Sequence, residues 1–206
     1  MKELNQYLVN NKYKNRIKMK NILYIGCIIL STISCKAQIL PVEEVVNYRN
    51  AEEGIPENIT YIKDVNHLLD KYIGTWEGAD SGKNYEVTIN KITVESEYRD
   101  LTRDELFMRY KITNTNGTVI INTLPLPDSN TLVLKGEYLD PAGSYVLYYQ
   151  GEDADCGQNG DVFISVYGTN NTQMQLFLQV YGEVVECTTG YAEQVLPIEP
   201  IILTKQ

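Results

Sequence analysis

Apolar and polar residues alternate along several short stretches of the chain, and this period of two constrains the fold more than any other feature. Tyr85, Val87 and Ile89 are separated by polar residues, and the stretches Leu106–Ile112 and Met174–Val180 follow the same pattern. Because successive side chains of a strand point to opposite faces, each stretch would place one face in a core and the other in water. The pattern therefore predicts half-buried antiparallel strands.

Turn residues join these stretches into hairpins. Asn116-Gly117 predicts a type I′ turn, whose two central residues both need positive φ, and Asp140–Gly143 and Gly168–Asn171 mark two further turns. With a first strand at Gly74–Glu77 and a last one at Ile201–Thr204, the chain holds about nine short strands. We therefore expect an all-β protein, an antiparallel meander of about eight or nine strands that forms either a barrel or a sandwich.

Two weaker helical patterns precede the strands. Val42, Val45, Val46 and Arg49 have helical spacing, and Asp64 could cap a turn that carries Leu68, Leu69 and Tyr72 on one face. A short helix at this second position would lead directly into the first strand and cover one end of a barrel. We accordingly divide the body of the chain into an N-terminal extension over residues 38–63 and a β-domain over residues 64–206.

The stretch Tyr72-Ile-Gly-Thr-Trp-Glu-Gly78 resembles the opening of the calycin barrels, the lipocalins and fatty-acid-binding proteins. In those families a Gly-x-Trp motif follows a short helix, and a basic residue near the end of the last strand packs over the Trp. Gly74 and Trp76 match that motif, and Lys205 stands where the cation is expected. The resemblance implies a lipocalin-like barrel that these three residues close.

Most of the chain after the leader also resembles an uncharacterised family of small exported proteins from Bacteroidota, chiefly flavobacteria. The residues concerned are Ser34–Gln38, Tyr61–Trp76, and the strand Leu106–Ile112 with the following Gly117 and Asn122-Thr-Leu124. This resemblance implies export and a domain of unknown function. It carries no activity over to this chain.

The N-terminus has the pattern of an export signal. Residues 1–37 contain seven Lys and Arg but one acidic residue, and the thirteen residues Ile22–Ser34 are apolar or small. Such a stretch is shorter than the roughly 20 residues that a membrane-spanning helix needs, and it suits the core of a signal peptide. Met19 followed by Lys20 is a more natural start than Met1, so residues 1–18 are interpreted as an over-extended start.

Two cleavage patterns compete at the end of this leader. Ser31-Thr-Ile-Ser-Cys35 fits a lipobox, in which Cys35 would receive a diacylglycerol and anchor the protein in a membrane. Cys35-Lys-Ala37 instead places small residues where ordinary signal peptidase needs them, with Gln38 as the new N-terminus. The first alternative predicts an outer-membrane lipoprotein, and the second predicts a periplasmic or secreted protein.

Export also decides how the cysteines are interpreted. Cys156 and Cys187 are the two cysteines that follow the leader, and they flank a predicted hairpin almost symmetrically. Because compartments outside the cytoplasm are oxidising, we expect a disulfide across the open end of that hairpin. No C-x-x-C spacing points to a redox-active pair.

The charge balance argues against nucleic acid as a partner. From Gln38 onward the chain has eleven basic and twenty-six acidic residues, a formal charge of −15. The acidic loop before the hairpin contains Asp153, Asp155, Asn159 and Asp161, which are weak candidates for Ca²⁺ ligands. Gln158 and Ile164 break the EF-hand pattern, so a solvated loop is the alternative, and no metal or cofactor is expected.

Candidate catalytic residues are sparse. The single histidine, His67, accompanies no nucleophile motif, and we expect a protein that is not an enzyme. Three functions remain as hypotheses, in order: a lipocalin-like module that binds a small apolar or amphipathic ligand, a protein-interaction or structural envelope protein with an outer Tyr-rich face, and a carboxylate hydrolase. An open apolar barrel interior would favour the first, and an interior filled by Leu106, Met108, Tyr110, Met174 and Leu176 would count against it.

Overall fold

The computed structural model of the protein describes residues 38–182, 184, 187–188 and 190–206. Among them are four short 3-10 helices, at Val42–Tyr48, Asp70–Tyr72, Ala154–Cys156 and Thr169–Asn171. The strands are β1 (Gln38–Pro41), β2 (Ile59–Lys63), β3 (Gly74–Asp80), β4 (Lys83–Glu95), β5 (Thr102–Asn114), β6 (Val119–Asn122), β7 (Leu134–Leu139), β8 (Tyr145–Gln150), β9 (Asn159–Tyr167), β10 (Gln173–Val180) and β11 (Ile201–Lys205). The export signal and the acylation of Cys35 were predicted for residues that lie outside the described ones.

Eight of these strands close into an antiparallel barrel. Their order around the barrel is β3-β4-β5-β7-β8-β9-β10-β11, and each of them pairs with its neighbours in the antiparallel sense. The barrel closes where β11 pairs with β3, at Lys205 and Trp76. On the other side, β5 pairs with β7 at Phe107 and Lys135. The expected all-β meander with a lipocalin-like barrel is confirmed.

Three additional strands extend the sheet beyond the barrel, along the edge of β5 that does not pair with β4. Its first residues pair in parallel with β2, which in turn carries β1, and its last residues form a hairpin with β6. The sequence pattern did not predict β1 and β2, which are short and pair in parallel with residues far along the chain. The helical spacing of Val42–Arg49 corresponds to the 3-10 helix Val42–Tyr48, which packs against β7.

The barrel has two ends that differ in how they are closed. β3, β5, β8 and β10 all start at one end, which we call the Trp76 end, and finish at the other, which we call the disulfide end. The disulfide end takes its name from the bond between Cys156 and Cys187, whose Cα atoms are 5.0 Å apart across the open end of the β9–β10 hairpin. This bond was predicted from the sequence and is confirmed.

The turn that leads into β3 is less helical than its sequence suggests. Asp64 acts as the expected cap, because its carboxylate accepts the N–H groups of Leu68 at 2.7 Å and Leu69 at 3.2 Å. His67 adopts a positive φ of 56°, which interrupts a right-handed helix. The helical part is therefore restricted to Asp70–Tyr72.

The predicted type I′ turn between β5 and β6 is wrong. Gly117 has a φ of 86°, whereas Asn116 is not among the residues with positive φ. The Asn116 side chain instead accepts the N–H of Thr118 at 3.0 Å, and the pairing of β5 with β6 shifts by a bulge between Ile112 and Thr113. A longer loop with a bulge therefore replaces the two-residue turn. In the part of the chain that the structure describes, no helix is long and apolar enough to cross a membrane.

Candidate functional site

The barrel interior is occupied by its own side chains. Alternate residues of the strands point inward as predicted, and Leu106, Met108, Tyr110, Met174 and Leu176 are each at most 1% exposed. They belong to one continuous cluster of buried apolar residues that includes side chains from all eight strands of the barrel. By the criterion set from the sequence, this packing counts against a ligand in the barrel centre, so a binding site has to be sought elsewhere.

The Trp76 end brings together the three residues of the predicted barrel-closing motif. Lys205 Nζ lies 5.0 Å from the centroid of the Trp76 ring, which is completely buried. Trp76 Nε1 donates to the backbone oxygen of Tyr72 at 2.8 Å, and Lys205 Nζ donates to that of Lys71 at 3.4 Å. Gly74 has a φ of 131°, and a Cβ at this position would lie 3.0 Å from Lys205 Cε. The lysine can cross the tryptophan here because no side chain stands in its path.

The four candidate calcium ligands do not converge. Asp161 points to the outer surface, where it forms a salt bridge with Arg49 at 3.5 Å and accepts a hydrogen bond from Tyr181 at 2.5 Å. Asn159 donates its side-chain amide to the backbone of Ala154. Among the described residues, no group of three or more His, Cys, Asp and Glu side chains is placed to hold a metal ion.

The hydroxyl groups of two buried tyrosines have no hydrogen-bond partner among the described residues. Tyr110 and Tyr149 are both completely buried inside the barrel, and neither hydroxyl makes a hydrogen bond within the described part of the chain. Burial raises the pKa of both phenols, and the negative charge of Glu152 adds to that effect for each. Both hydroxyls are therefore neutral. They lie near the disulfide end.

A groove on the outside of the barrel is the best candidate for a binding site. It forms where the 3-10 helix Val42–Tyr48 and the loop after it cross β7 and β8, and its volume is about 360 Å³, within the usual range for small-molecule sites. We call it the strap groove. Its lining residues combine apolar, aromatic and charged side chains: Val45, Tyr48, Arg49, Ile55, Arg103, Lys135, Gly136, Glu137, Tyr138 and Tyr148.

Arg49 holds the wall of the strap groove against the barrel. Its guanidinium lies 4.3 Å from the centroid of the Tyr138 ring, donates to the Tyr138 hydroxyl, and pairs with Asp161. Burial and the charge of Asp161 raise the pKa of the neighbouring Glu137 carboxyl. The wall is thus fixed by a cation–π contact and by an ion pair between the partly exposed Arg49 and the buried Asp161.

The other two cations of the strap groove have no such anionic partner among the described residues. Arg103 donates to the backbone oxygen of Glu137 at 2.9 Å, and Lys135 Nζ lies 5.8 Å from the Phe107 ring. Among the described residues, neither has a carboxylate oxygen within 4.0 Å. Three of the eleven basic residues of the acidic body of the chain therefore line one groove.

A second, larger cavity of about 560 Å³ is less suited to selective binding. It is an open depression on the outer face of β3, β4 and β11, and its lining includes Glu77, Glu86 and Lys111. Lys111 already lies 3.8 Å from the carboxylate of Glu86. The side chains here contribute little apolar contact and no unpaired cation.

The sequence identified few residues of the strap groove. Tyr138 and Tyr148 are among the strand tyrosines behind the predicted Tyr-rich face, but nothing in the sequence linked them to Arg49, Arg103 or Lys135. These residues meet because β5 pairs with β7 and because the N-terminal segment folds back onto β7. The isolated His67, in contrast, is exposed, and its Nδ1 lies 3.2 Å from a carboxylate oxygen of Asp70.

Comparison with known proteins adds one relationship. Residues 19–206 match the model of a family of unknown function, DUF6705. No curated protein and no solved structure matches the chain.

Proposed function

The chain belongs to the family of unknown function DUF6705, so its role must be inferred from its own residues, and we propose that it is a non-enzymatic binding module for a small amphipathic ligand. The ligand would occupy the strap groove on the outer wall of the barrel. The barrel itself then serves as a rigid scaffold. Small barrels of eight strands often have interiors filled by side chains, which is compatible with this arrangement.

The composition of the strap groove is the observation that carries this proposal. Val45, Ile55 and the rings of Tyr48 and Tyr148 offer apolar surface, while Arg103 and Lys135 offer unpaired charge. Pockets that bind small molecules are typically apolar with a few polar groups that fix orientation. Tyr148 contributes to the groove from β8 and is 41% exposed, so its ring is available for contact.

Native mass spectrometry of the protein purified from its own cells tests the proposal. We expect a reproducible added mass that disappears on denaturation and is lost in the variant Tyr148→Ala. Tyr167→Ala is the matched control, because Tyr167 is also a strand tyrosine, is also 41% exposed and does not line the strap groove. Retention of the added mass in Tyr148→Ala, or a bare polypeptide mass throughout, would argue against a ligand in this groove.

A protein-interaction role is the second candidate. Tyr181 and Tyr191, together with Ile198 and Ile202, are exposed large side chains in the part of the chain that follows β10. Affinity capture from an envelope extract distinguishes the two roles. Partners that are lost with Tyr191→Ser but kept with Tyr148→Ala would favour protein interaction over ligand binding.

We propose in addition that the protein is exported and that Cys35 is acylated. The leader pattern and the pairing of Cys156 with Cys187 support export, because stable disulfides are rare in the cytoplasm. Membrane contact would then occur only through the lipid on Cys35. Cys35→Ser should move the protein from the detergent phase to the aqueous phase in a detergent partition experiment, and a wild-type protein found in the aqueous phase would instead favour cleavage after Ala37.

A further inference from the structure

We propose that the strap groove selects a ligand with an anionic group, a small amphipathic acid, whose charge lies between Arg103 and Lys135. This inference rests on the proposed binding function and specifies the chemical class of its ligand. It excludes nucleic acid and a neutral hydrophobic molecule as the preferred occupant.

Arg103 and Lys135 are both available to an external anion. The Arg103 guanidinium makes one hydrogen bond, to a backbone oxygen, and its Nε is buried without a hydrogen-bond partner in the described part of the chain. Lys135 is exposed, and its Nζ lies 5.8 Å from the centroid of the Phe107 ring. Because neither cation forms an ion pair with a described carboxylate and both line the same groove, they can together donate charge-assisted hydrogen bonds to an external anion.

Two carboxyl groups lie near these cations without pairing with them. Burial raises the pKa of the Glu105 and Glu137 carboxyls, and the charges of Arg103 and Lys135 at Glu105, and of Arg49 and Arg103 at Glu137, partly offset this effect. Neither carboxylate has an oxygen within 4.0 Å of Arg103 or Lys135. An external anion would therefore not have to displace an existing ion pair.

The apolar lining of the groove fits the body of such a ligand. The anionic group would lie beside Val45, Ile55 and Tyr148, which form an apolar surface large enough for an aromatic ring or a short alkyl chain. A bare inorganic anion would leave this surface uncovered. A molecule with both parts uses all the features of the strap groove.

Two fluorescent probes with almost the same ring system test the inference. 1-Anilinonaphthalene-8-sulfonate carries an anionic group, and N-phenyl-1-naphthylamine is its neutral counterpart. We expect the sulfonate to bind more tightly, and Lys135→Gln to reduce its affinity about tenfold without changing that of the neutral probe. Lys63→Gln is the matched control, because Lys63 is also exposed and also contacts a ring, that of Tyr61, outside the groove.

The outcomes separate this inference from the proposed function. If both probes bind equally, Lys135→Gln changes neither affinity and Tyr148→Ala weakens both, the anion preference is overturned while the binding groove stands. If Tyr148→Ala changes neither affinity, the binding groove fails and the inference fails with it. Displacement of the sulfonate by octanoate supports a free acid, whereas displacement only by phosphatidylglycerol vesicles assigns the anion to a membrane lipid and overturns the small-acid assignment.

Discussion

The two ends of the barrel are closed by different means. At the Trp76 end two buried tyrosine hydroxyls have partners: the Tyr72 hydroxyl donates to the Gly143 oxygen at 2.8 Å, and the Tyr145 hydroxyl accepts the N–H of Leu106 at 3.2 Å. At the disulfide end, the hydroxyls of Tyr110 and Tyr149 have no partner among the described residues. One end is therefore fixed by hydrogen bonds within the core, and the other by a covalent bond outside it.

The disulfide end depends on two loops that are far apart in the chain. Besides the bond itself, Gln158 donates to the Glu193 oxygen at 2.6 Å, and Ala192 donates to the Cys156 oxygen at 2.9 Å. Leu196 from the second loop is buried in the core. At this end a covalent bond and two hydrogen bonds hold the loop that buries Leu196 in the core.

The largest effect is expected at the Trp76 end. Trp76→Ala removes a completely buried side chain, together with its hydrogen bond and its contact with Lys205, and should lower the free energy of unfolding by about 3–5 kcal/mol. Urea denaturation measures this change. Tyr98→Ala is the control, because Tyr98 is 95% exposed and its removal should change stability by about 0.5 kcal/mol or less. Equal changes in the two variants would show that Trp76 does not anchor this end.

The same contrast explains what the sequence could predict. Most of the Trp76 end comes from the consecutive residues 64–76, so a local motif identified Gly74 and Trp76, and the periodicity identified the inward-facing residues. The disulfide was predictable because two cysteines allow one pairing. The strap groove was not predictable, since it needs two long-range events: the pairing of β5, which carries Arg103, with β7, which carries Lys135, and the packing of the N-terminal segment on β7 that adds Arg49.

Loss of the disulfide should have the next largest effect, and mainly at its own end. The bond closes a loop with a sequence separation of 31, and the double variant Cys156→Ser/Cys187→Ser should lose about 2–4 kcal/mol of stability. Hydrogen exchange should then become faster at the N–H of Ala192, which bonds to Cys156. The N–H of Lys205, which bonds to Thr172 at the Trp76 end, should remain protected. An equal loss of protection at both ends would contradict their independence.

Tyrosine-to-phenylalanine changes provide a smaller but sharper comparison. Tyr72→Phe removes a hydroxyl that donates a hydrogen bond and should cost about 0.5–1.5 kcal/mol of stability. Tyr149→Phe removes an equally buried hydroxyl without a partner among the described residues, so stability should stay the same or increase by about 1 kcal/mol. Equilibrium unfolding of both variants measures these changes in the free energy of unfolding. A similar destabilisation by Tyr149→Phe would mean that its hydroxyl is satisfied, for example by a buried water.

The smallest effect concerns a charge at the Trp76 end. Burial of the Asp104 carboxylate opposes its ionisation, but hydrogen bonds from Thr93, the Asp64 N–H and Tyr61 outweigh burial and lower its pKa. Because the folded state holds the charged form more strongly than the unfolded state, this carboxylate stabilises the fold at neutral pH. That stabilisation is lost as the pH falls below the usual pKa of about 3.8. Asp104→Asn should therefore cost about 1 kcal/mol or less at pH 7 and less than that near pH 3. Asp155→Asn is the control, because Asp155 is exposed at the disulfide end, and this change should leave stability unaltered at both pH values. A cost of Asp104→Asn that does not change with pH would show that the hydrogen bonds of Asp104 do not depend on its charge.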